Sequence, residues 1–359
     1  MKSIAFLLPS IPAYPQGGFR VVFQYANMFA NDGYDVQIVY PTFMPVQTDS
    51  ACRTILRFFK AIFRFLFCKF GKDYSYKKWY ELDSRVQECF TFTLNEIFVP
   101  KSDVYIATSI RTAFYLNKYS TDSDKLYFIQ GFEAWGGITE EQVISTFKFG
   151  FKNIVISKWL QKCVSQYAAK CVYIPNGFDF DTFKKYIDQQ DRERYRITML
   201  YHTQDLKGCD DAFQALNIVK ERFKELKVNI FGVPARPKNL PDWYEYYQQP
   251  DKEVINKLYN EASIFIGTSW NEGWGLTVGE AMICGCAIAC TDIDGYKEMV
   301  ENGVTALLSP IKDPKSLADN IIKLIEDDEY RKEMSIRGNN HIMNFKWESS
   351  YEKLKNIIR

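Results

Sequence analysis

The stretch Ser269-Trp270-Asn271-Glu272-Gly273-Trp274-Gly275-Leu276-Thr277-Val278-Gly279-Glu280-Ala281-Met282 decides how the chain is read. It follows a short apolar run, Ile264 to Thr268, and leads into a helical pattern, which is where an α/β sheet binds ligands. Gly273 and Gly275 let the backbone come close to a ligand. The amides of Trp274 to Thr277 face outward at a helix N-terminus and suit an anion such as a diphosphate. Glu272 lies in the loop, while Glu280 sits a little over one turn into the helix, about 6 Å along the axis from Leu276. The two carboxylates can therefore flank one ligand. The deeper one can accept from paired hydroxyls such as those of a ribose, and the loop one can meet a sugar or its developing positive charge. A plainer reading is a capping loop and one solvated glutamate, but a strand, a glycine loop and a helix with two fixed acids is a more demanding pattern than a cap requires.

Outward from this motif the same alternation fills the chain. Ser3 to Leu8, Val36 to Tyr40, Val104 to Thr108, Leu126 to Gln130, Ile154 to Ser157 and Val172 to Pro175 read as strands. Ile197 to Tyr201, Val228 to Phe231, Ile264 to Thr268, Ala287 to Thr291 and Ala306 to Ser309 form a second series. Short apolar runs separated by helical patterns predict parallel sheets covered on both faces, an α/β fold. At 359 residues the chain predicts two cores. The expected division is a first domain over 1–178, a polar linker over 179–194 and a second domain over 195–344. A polar C-terminal helix within 345–359 is free to pack back on the first.

Charge and cysteine usage exclude several classes. Lys plus Arg (45) and Asp plus Glu (44) nearly cancel, so no overall basic field drives nucleic-acid binding. Cys284, Cys286 and Cys290 are the one tight cysteine cluster, but no histidine is near and the spacing is not that of a zinc site, so buried structural thiols are expected. Met1 to Leu8 lacks a secretory layout, and the cysteines lack a disulfide-scaffold context, which together predict a cytoplasmic protein.

Arg53 to Phe70 stands apart. Arg53, Arg57, Lys60 and Arg64 recur at helical spacing and form one basic stripe, while Ile55, Phe58, Phe59, Ile62, Phe63, Phe65, Leu66 and Phe67 occupy the rest. The pattern predicts an interfacial helix on a membrane surface, with a core-packing helix as the alternative. Charges at every turn rule out a membrane span.

The glutamate, seven intervening residues and glutamate of the opening motif resemble glycosyltransferase family 4. The resemblance extends over nearly the whole chain. Tyr14-Pro15-Gln16-Gly17-Gly18 looks like that family's first glycine-rich loop, Ile174 to Asp179 like its interdomain turn, and Lys207-Gly208 like its phosphate-neutralising lysine. Ala281 to Gly285, Asp292, Gly295, Glu298, Asn302 and Gly303 continue the pattern. The resemblance implies a GT-B fold, two Rossmann-like domains facing each other across a cleft. It also implies a retaining enzyme that moves a sugar from a nucleotide diphosphate to a glycan or lipid-linked acceptor, in surface polysaccharide assembly. Glu280 would hold the ribose, Glu272 the transferred sugar, and the backbone of Gly273, Trp274, Gly275, Leu276 and Thr277 the phosphates. Gly17 and Gly18 would approach those phosphates from the other domain, and Lys207 would neutralise the departing diphosphate. No metal or other cofactor is implied.

Three positions depart from the family. Tyr201 stands where many members carry a second phosphate-binding cation, which rests leaving-group stabilisation more on Lys207; His202 beside it is a candidate contributor there or to the sugar or acceptor, with a structural histidine as the alternative. Gln130 stands where many carry a histidine, and Glu133 follows; Gln130 is a candidate donor to a sugar hydroxyl and Glu133 a candidate for orienting the acceptor. Thr277 replaces a proline. Among rivals, a nicotinamide oxidoreductase lacks its G-x-G-x-x-G after the first strand, and a kinase lacks its G-x-x-x-x-G-K-[ST] loop. A nucleotide-sugar epimerase on the same architecture, or a two-lobed sugar-binding protein, stays open.

Overall fold

Every strand pairing in the computed structural model is parallel, and the pairs assemble into two sheets. The structure describes residues 2–45, 51–70 and 79–359. Lys72, a cation just beyond the basic aromatic segment, lies outside the described residues. The chain divides into one unit of Met1–Pro175 with Tyr351–Arg359 and a second of Asn176–Ser350.

The first unit runs β1 (Ser3–Leu7), α1 (Gly17–Asn31), β2 (Asp35–Pro41), α2 (Ala51–Phe70), β3 (Gln87–Thr91), β4 (Val104–Ala107), α3 (Ile110–Leu116), β5 (Asp124–Ile129), α4 (Glu140–Phe147), β6 (Lys152–Val155), α5 (Lys158–Ser165) and β7 (Cys171–Tyr173). Its strand order is β3-β2-β1-β4-β5-β6-β7. β1 and β4 are wholly or almost wholly buried, as strands covered on both faces must be, and α1 lays Phe19, Val22, Phe23, Ala26 and Phe29 against the sheet.

The second unit runs β8 (Glu193–Tyr201), α6 (Cys209–Arg222), β9 (Lys227–Gly232), β10 (Tyr244–Gln248), α7 (Lys252–Glu261), β11 (Ala262–Gly267), α8 (Leu276–Ile283), β12 (Ala287–Thr291), β13 (Leu307–Ser309), α9 (Pro314–Glu326) and α10 (Asp328–Ile342). Its order is β10-β9-β8-β11-β12-β13. Asp313 caps α9 by accepting from the Ser316 amide, with Pro314 at the first turn where its missing N–H costs nothing. The last helix, α11 (Trp347–Ile358), brings Tyr351 into the first unit, where its hydroxyl donates to Asp32 Oδ2 at 2.7 Å and its ring meets Phe29 edge-on.

Residues 179–194, expected from their polarity to be a linker, are part of the second unit. The Asn260 side-chain oxygen accepts from the amides of Tyr186 and Ile187. The buried Arg192 guanidinium donates to the carbonyls of Ile187, Tyr259, Ala262 and Cys284. The polar side chains here satisfy buried backbone rather than water, and this satisfaction is what binds the segment down.

α2 has three faces. Phe58 and Phe65 pack on Phe92, Phe58 also meets Phe43, and Ala61 and Cys68 are buried beside them. Ile55, Leu56, Phe59, Phe63, Leu66 and Phe67 form a second, exposed face. Arg53, Arg57, Lys60 and Arg64 are exposed on a third, between the other two. No helix among the described residues is long and apolar enough to cross a membrane.

Candidate active site

In the second sheet the strand order reverses between β8 and β11, so the loops that follow these two strands emerge side by side at the point where such sheets bind ligands. They are zipped together. The Trp270 amide donates to the Leu206 carbonyl at 2.8 Å, and Thr268 Oγ1 donates to the Lys207 carbonyl at 2.9 Å. Gly208 makes the approach possible: its φ is +59°, and a Cβ there would lie 2.1 Å from the Thr268 carbonyl oxygen. The Trp270 indole N–H donates to Asp211 Oδ2 at 2.7 Å, and the Lys312 ammonium lies 4.3 Å from the ring centroid.

Across this zipper the Lys207 ammonium meets Glu272 Oε1 at 2.5 Å, both side chains being about one quarter exposed. Ser269 Oγ donates to the same carboxylate oxygen at 2.9 Å. The loop carrying Glu272 is held from behind by Gly295, where a Cβ would sit 2.0 Å from the Glu272 carbonyl oxygen, and by Tyr296, whose buried ring fills the space beside Gly275. Burial pushes the Tyr296 phenol well up, and the Glu272 charge adds to that. Tyr296 therefore stays a neutral prop under the loop.

His202 opens the β8 loop. The Gln204 amide donates to its Nδ1 at 3.0 Å. Burial lowers its pKa, as does the Lys207 ammonium, against an opposing pull from Glu272. Lys207, Glu272 and His202 thus form one cluster. Tyr201 turns elsewhere, packing among Phe213 and Tyr246.

Gly275 precedes α8 in the left-handed region, φ +78°, which frees the chain to turn into the helix. The amides of Leu276 and Thr277 in the first turn are by position the helix's own unsatisfied donors. Glu280 lies buried on α8. Trp274, also buried, stacks on Phe178 and meets Phe345 edge-on. The Phe178 ring occupies the place a Cβ on Gly279 would take, 2.1 Å from it.

The first unit brings a separate set together. Gly17 opens α1, and the Gln130 amide, one residue past β5, donates to the Gly18 carbonyl at 3.2 Å. A Cβ on Gly18 would touch that amide at 3.4 Å. Glu133 accepts from the Ile110 amide at 3.1 Å, at the start of α3, and burial raises its pKa to about 7. Among the described residues no group of three or more His, Cys, Asp or Glu is placed to hold a metal ion.

A family model described as glycosyl transferases group 1 matches residues 182–341, the segment that contains Lys207, Glu272 and Glu280. In sequence, the chain is similar to D-inositol 3-phosphate glycosyltransferase of Corynebacterium urealyticum, 28% identical over 173 residues, which are 44% of this chain and 41% of the relative. The phosphatidyl-myo-inositol mannosyltransferase of Mycobacterium tuberculosis is 25% identical over 190 residues, 49% of this chain and 50% of the relative. The chain thus matches half or less of the length of these curated relatives.

Among solved structures, sucrose-phosphate synthase from Thermosynechococcus elongatus superposes with a TM-score of 0.74 at 15% identity, over 99% of this chain and 98% of that one. HepE of Anabaena in complex with UDP-glucose gives 0.74 at 15% identity over 100% and 99%. At such identities the likeness establishes the fold, and the expected GT-B class is borne out.

Proposed function

We propose that the chain is a retaining glycosyltransferase that takes a sugar from a nucleotide diphosphate and passes it to a lipid-linked or glycan acceptor. The observation that carries this reading is the Lys207–Glu272 pair at the zipped ends of β8 and β11, inside the group 1 segment. An ammonium beside first-turn amides of α8 is suited to a diphosphate, and no carboxylate-held cation is invoked. Donor recognition is assigned to the second unit. Lys207 and the amides of Leu276 and Thr277 take the phosphates, with Gly273, Trp274 and Gly275 shaping the loop, Glu280 takes the ribose, and Glu272 faces the sugar.

Acceptor recognition is assigned to the first unit, with Gln130 and Glu133 as its polar end. The sugar departs through an oxocarbenium-like transition state. The leaving diphosphate accepts the proton of the acceptor hydroxyl on the same face, so the anomeric configuration is kept without a side-chain nucleophile.

The exposed apolar face and basic stripe of α2 support work at the cytoplasmic face of an anionic membrane, with a lipid-carried acceptor in surface polysaccharide assembly. That one curated relative is named for a phosphatidyl-inositol acceptor agrees with this.

The test is a thermal-shift screen of UDP-, GDP- and dTDP-sugars against the wild type and Glu280→Ala. A shift specific to one nucleotide that shrinks in Glu280→Ala supports the donor site and names its base. A folded protein that responds to none of them refutes it.

A further inference from the structure

Trp135 lies in the loop 130–139, which leaves the C-terminal end of β5 and runs to α4. It is 47% exposed, whereas Trp274 and Trp347 are buried. A lone exposed apolar side chain is ordinary on a protein surface. This one is held in place at the end of the sheet where ligands bind. The Trp135 amide donates to the Glu133 carbonyl at 3.0 Å, and the Trp135 carbonyl accepts from the Ile138 amide at 3.2 Å. The second bond closes a turn whose central residues, Gly136 and Gly137, are both left-handed at φ +63° and +84°. The loop is pinned before the turn as well. Phe132 packs on the buried Phe147 of α4, Glu133 accepts from the Ile110 amide, and Gln130 donates to the Gly18 carbonyl. A Cβ on Gly131 would meet the Trp135 ring edge at 3.6 Å, so the indole rests against bare backbone there.

The chemistry around the ring suits a neutral, hydroxylated ligand. The loop after β1, Leu8 to Gln16, and the loop after β5, Gln130 to Thr139, carry no lysine or arginine, and Glu133 is their one charged residue. Arg111 on α3 acts electrostatically on that carboxyl group. Tyr14, in the first of these loops, is a second exposed ring at 53%. A phosphate or a uronate is recognised by cations, and these two loops supply none. A pyranose is recognised by a flat apolar surface under its C–H bonds and by amide and carboxyl partners at its hydroxyls.

We propose that Trp135 is the stacking platform of the acceptor site, and that the acceptor presents a neutral sugar ring there. This rests on the assignment of acceptor recognition to the first unit made above, and narrows that assignment to a saccharide. The apolar face of the sugar lies on the exposed part of the indole, and its hydroxyls turn to Gln130 and Glu133. The platform belongs to the first unit alone. It therefore governs acceptor affinity and leaves nucleotide binding, assigned to the second unit, unchanged.

The test is saturation-transfer NMR on the full chain with the methyl glycosides of glucose, galactose, mannose, rhamnose and N-acetylglucosamine. Methyl glucuronide and glycerol 3-phosphate serve as anionic controls, and UDP, GDP and dTDP are titrated in parallel by calorimetry. At least one neutral glycoside is expected to receive saturation, strongest at the C–H groups of one ring face. Trp135→Ala should weaken its binding about tenfold, and Trp135→Phe should stay within about threefold. Because the side chain is exposed, Trp135→Ala should melt within about 2 °C of the wild type and bind the nucleotide equally well. Binding of the anionic probes alone, of no glycoside, or of glycosides with wild-type affinity in Trp135→Ala would overturn the proposal. So would a loss of melting temperature in step with the loss of glycoside binding, which would assign Trp135 to the fold of the loop. If glycosides respond to Trp135 but the wild type binds none of the three nucleotides, the donor reading fails. The stacking site then stands as part of a sugar-binding protein, and its role as the acceptor site of a transferase is refuted.

Discussion

The Lys207 ammonium and the Glu272 carboxylate, 65 positions apart in the chain, share a 2.5 Å contact, and the same carboxylate oxygen accepts from Ser269 Oγ. Before donor binding, the cation assigned to the diphosphate is thus already neutralised by the acid assigned to the sugar. A diphosphate must compete with that acid. Glu272→Gln removes the competitor, and nucleoside-diphosphate affinity by calorimetry should stay at or above the wild-type level. Turnover should fall about a hundredfold or more, since a carboxylate facing the developing positive charge is lost. Lys207→Met should weaken both. Equal losses of affinity in the two variants would contradict this division of labour.

Gly279 on α8 gives the Phe178 ring its place. Gly279→Ala forces a Cβ to within 2.1 Å of that ring and should destabilise the protein by about 1–3 kcal/mol in urea unfolding. A double-mutant cycle with Phe178→Leu should return a coupling of at least about 1 kcal/mol, because the smaller side chain vacates the contested space. Additive effects would mean that the strain is relieved elsewhere.

Glu133 supplies a pH signature. Burial lifts its pKa from 4.5 to about 7, against a smaller lowering from the Ile110 amide and Arg111. Below that window the group is protonated whether the chain is folded or not. As pH rises through it, the unfolded chain ionises first, so the folded state loses stability, on the order of 2 kcal/mol by pH 8. Glu133→Gln keeps an acceptor for the Ile110 amide and should melt higher than wild type at pH 8, with the difference shrinking as pH falls and gone by about pH 4. A difference that does not change with pH would disprove the buried acid.

On α2 the structure separates rings that pack from rings that do not. Phe59, Phe63 and Phe67 are 56%, 74% and 63% exposed, while Phe58 packs on Phe43 and Phe92. Replacing Phe59, Phe63 and Phe67 with serine should abolish co-sedimentation with anionic vesicles while moving the melting temperature by no more than about 2 °C. Phe58→Ser should lower the melting temperature. Undiminished vesicle binding by the triple variant would refute the membrane-surface role of this helix.

The central strands were legible because they are buried on both faces and so read as unbroken apolar runs. β3 and β10 were not. Gln87-Glu88-Cys89-Phe90-Thr91 and Tyr244-Glu245-Tyr246-Tyr247-Gln248 lie at the edges of their sheets, paired on one side only, and their composition is that of half-wet strands. The 179–194 stretch misled for a related reason: polarity signals exposure, yet Arg192 is buried with backbone carbonyls for partners, and no local pattern announces that. The loops bearing Lys207 and Glu272 could be placed from strand ends and glycines. Their contact could not, nor could the support from Tyr296, Asp211 and Lys312, because these residues are distant in sequence and meet only through the sheet order.

Tyr351, Leu354 and Ile358 are buried in the unit that begins at the first strand, Lys355 pairs with Asp32, and the Lys2 ammonium bonds the Ile358 carbonyl. During synthesis the ribosome delivers these side chains only after the entire intervening unit has emerged. The first unit must therefore wait, incompletely closed, for residues made after the second. Its maturation is retrospective: the second unit can finish first, and the first is sealed by α11.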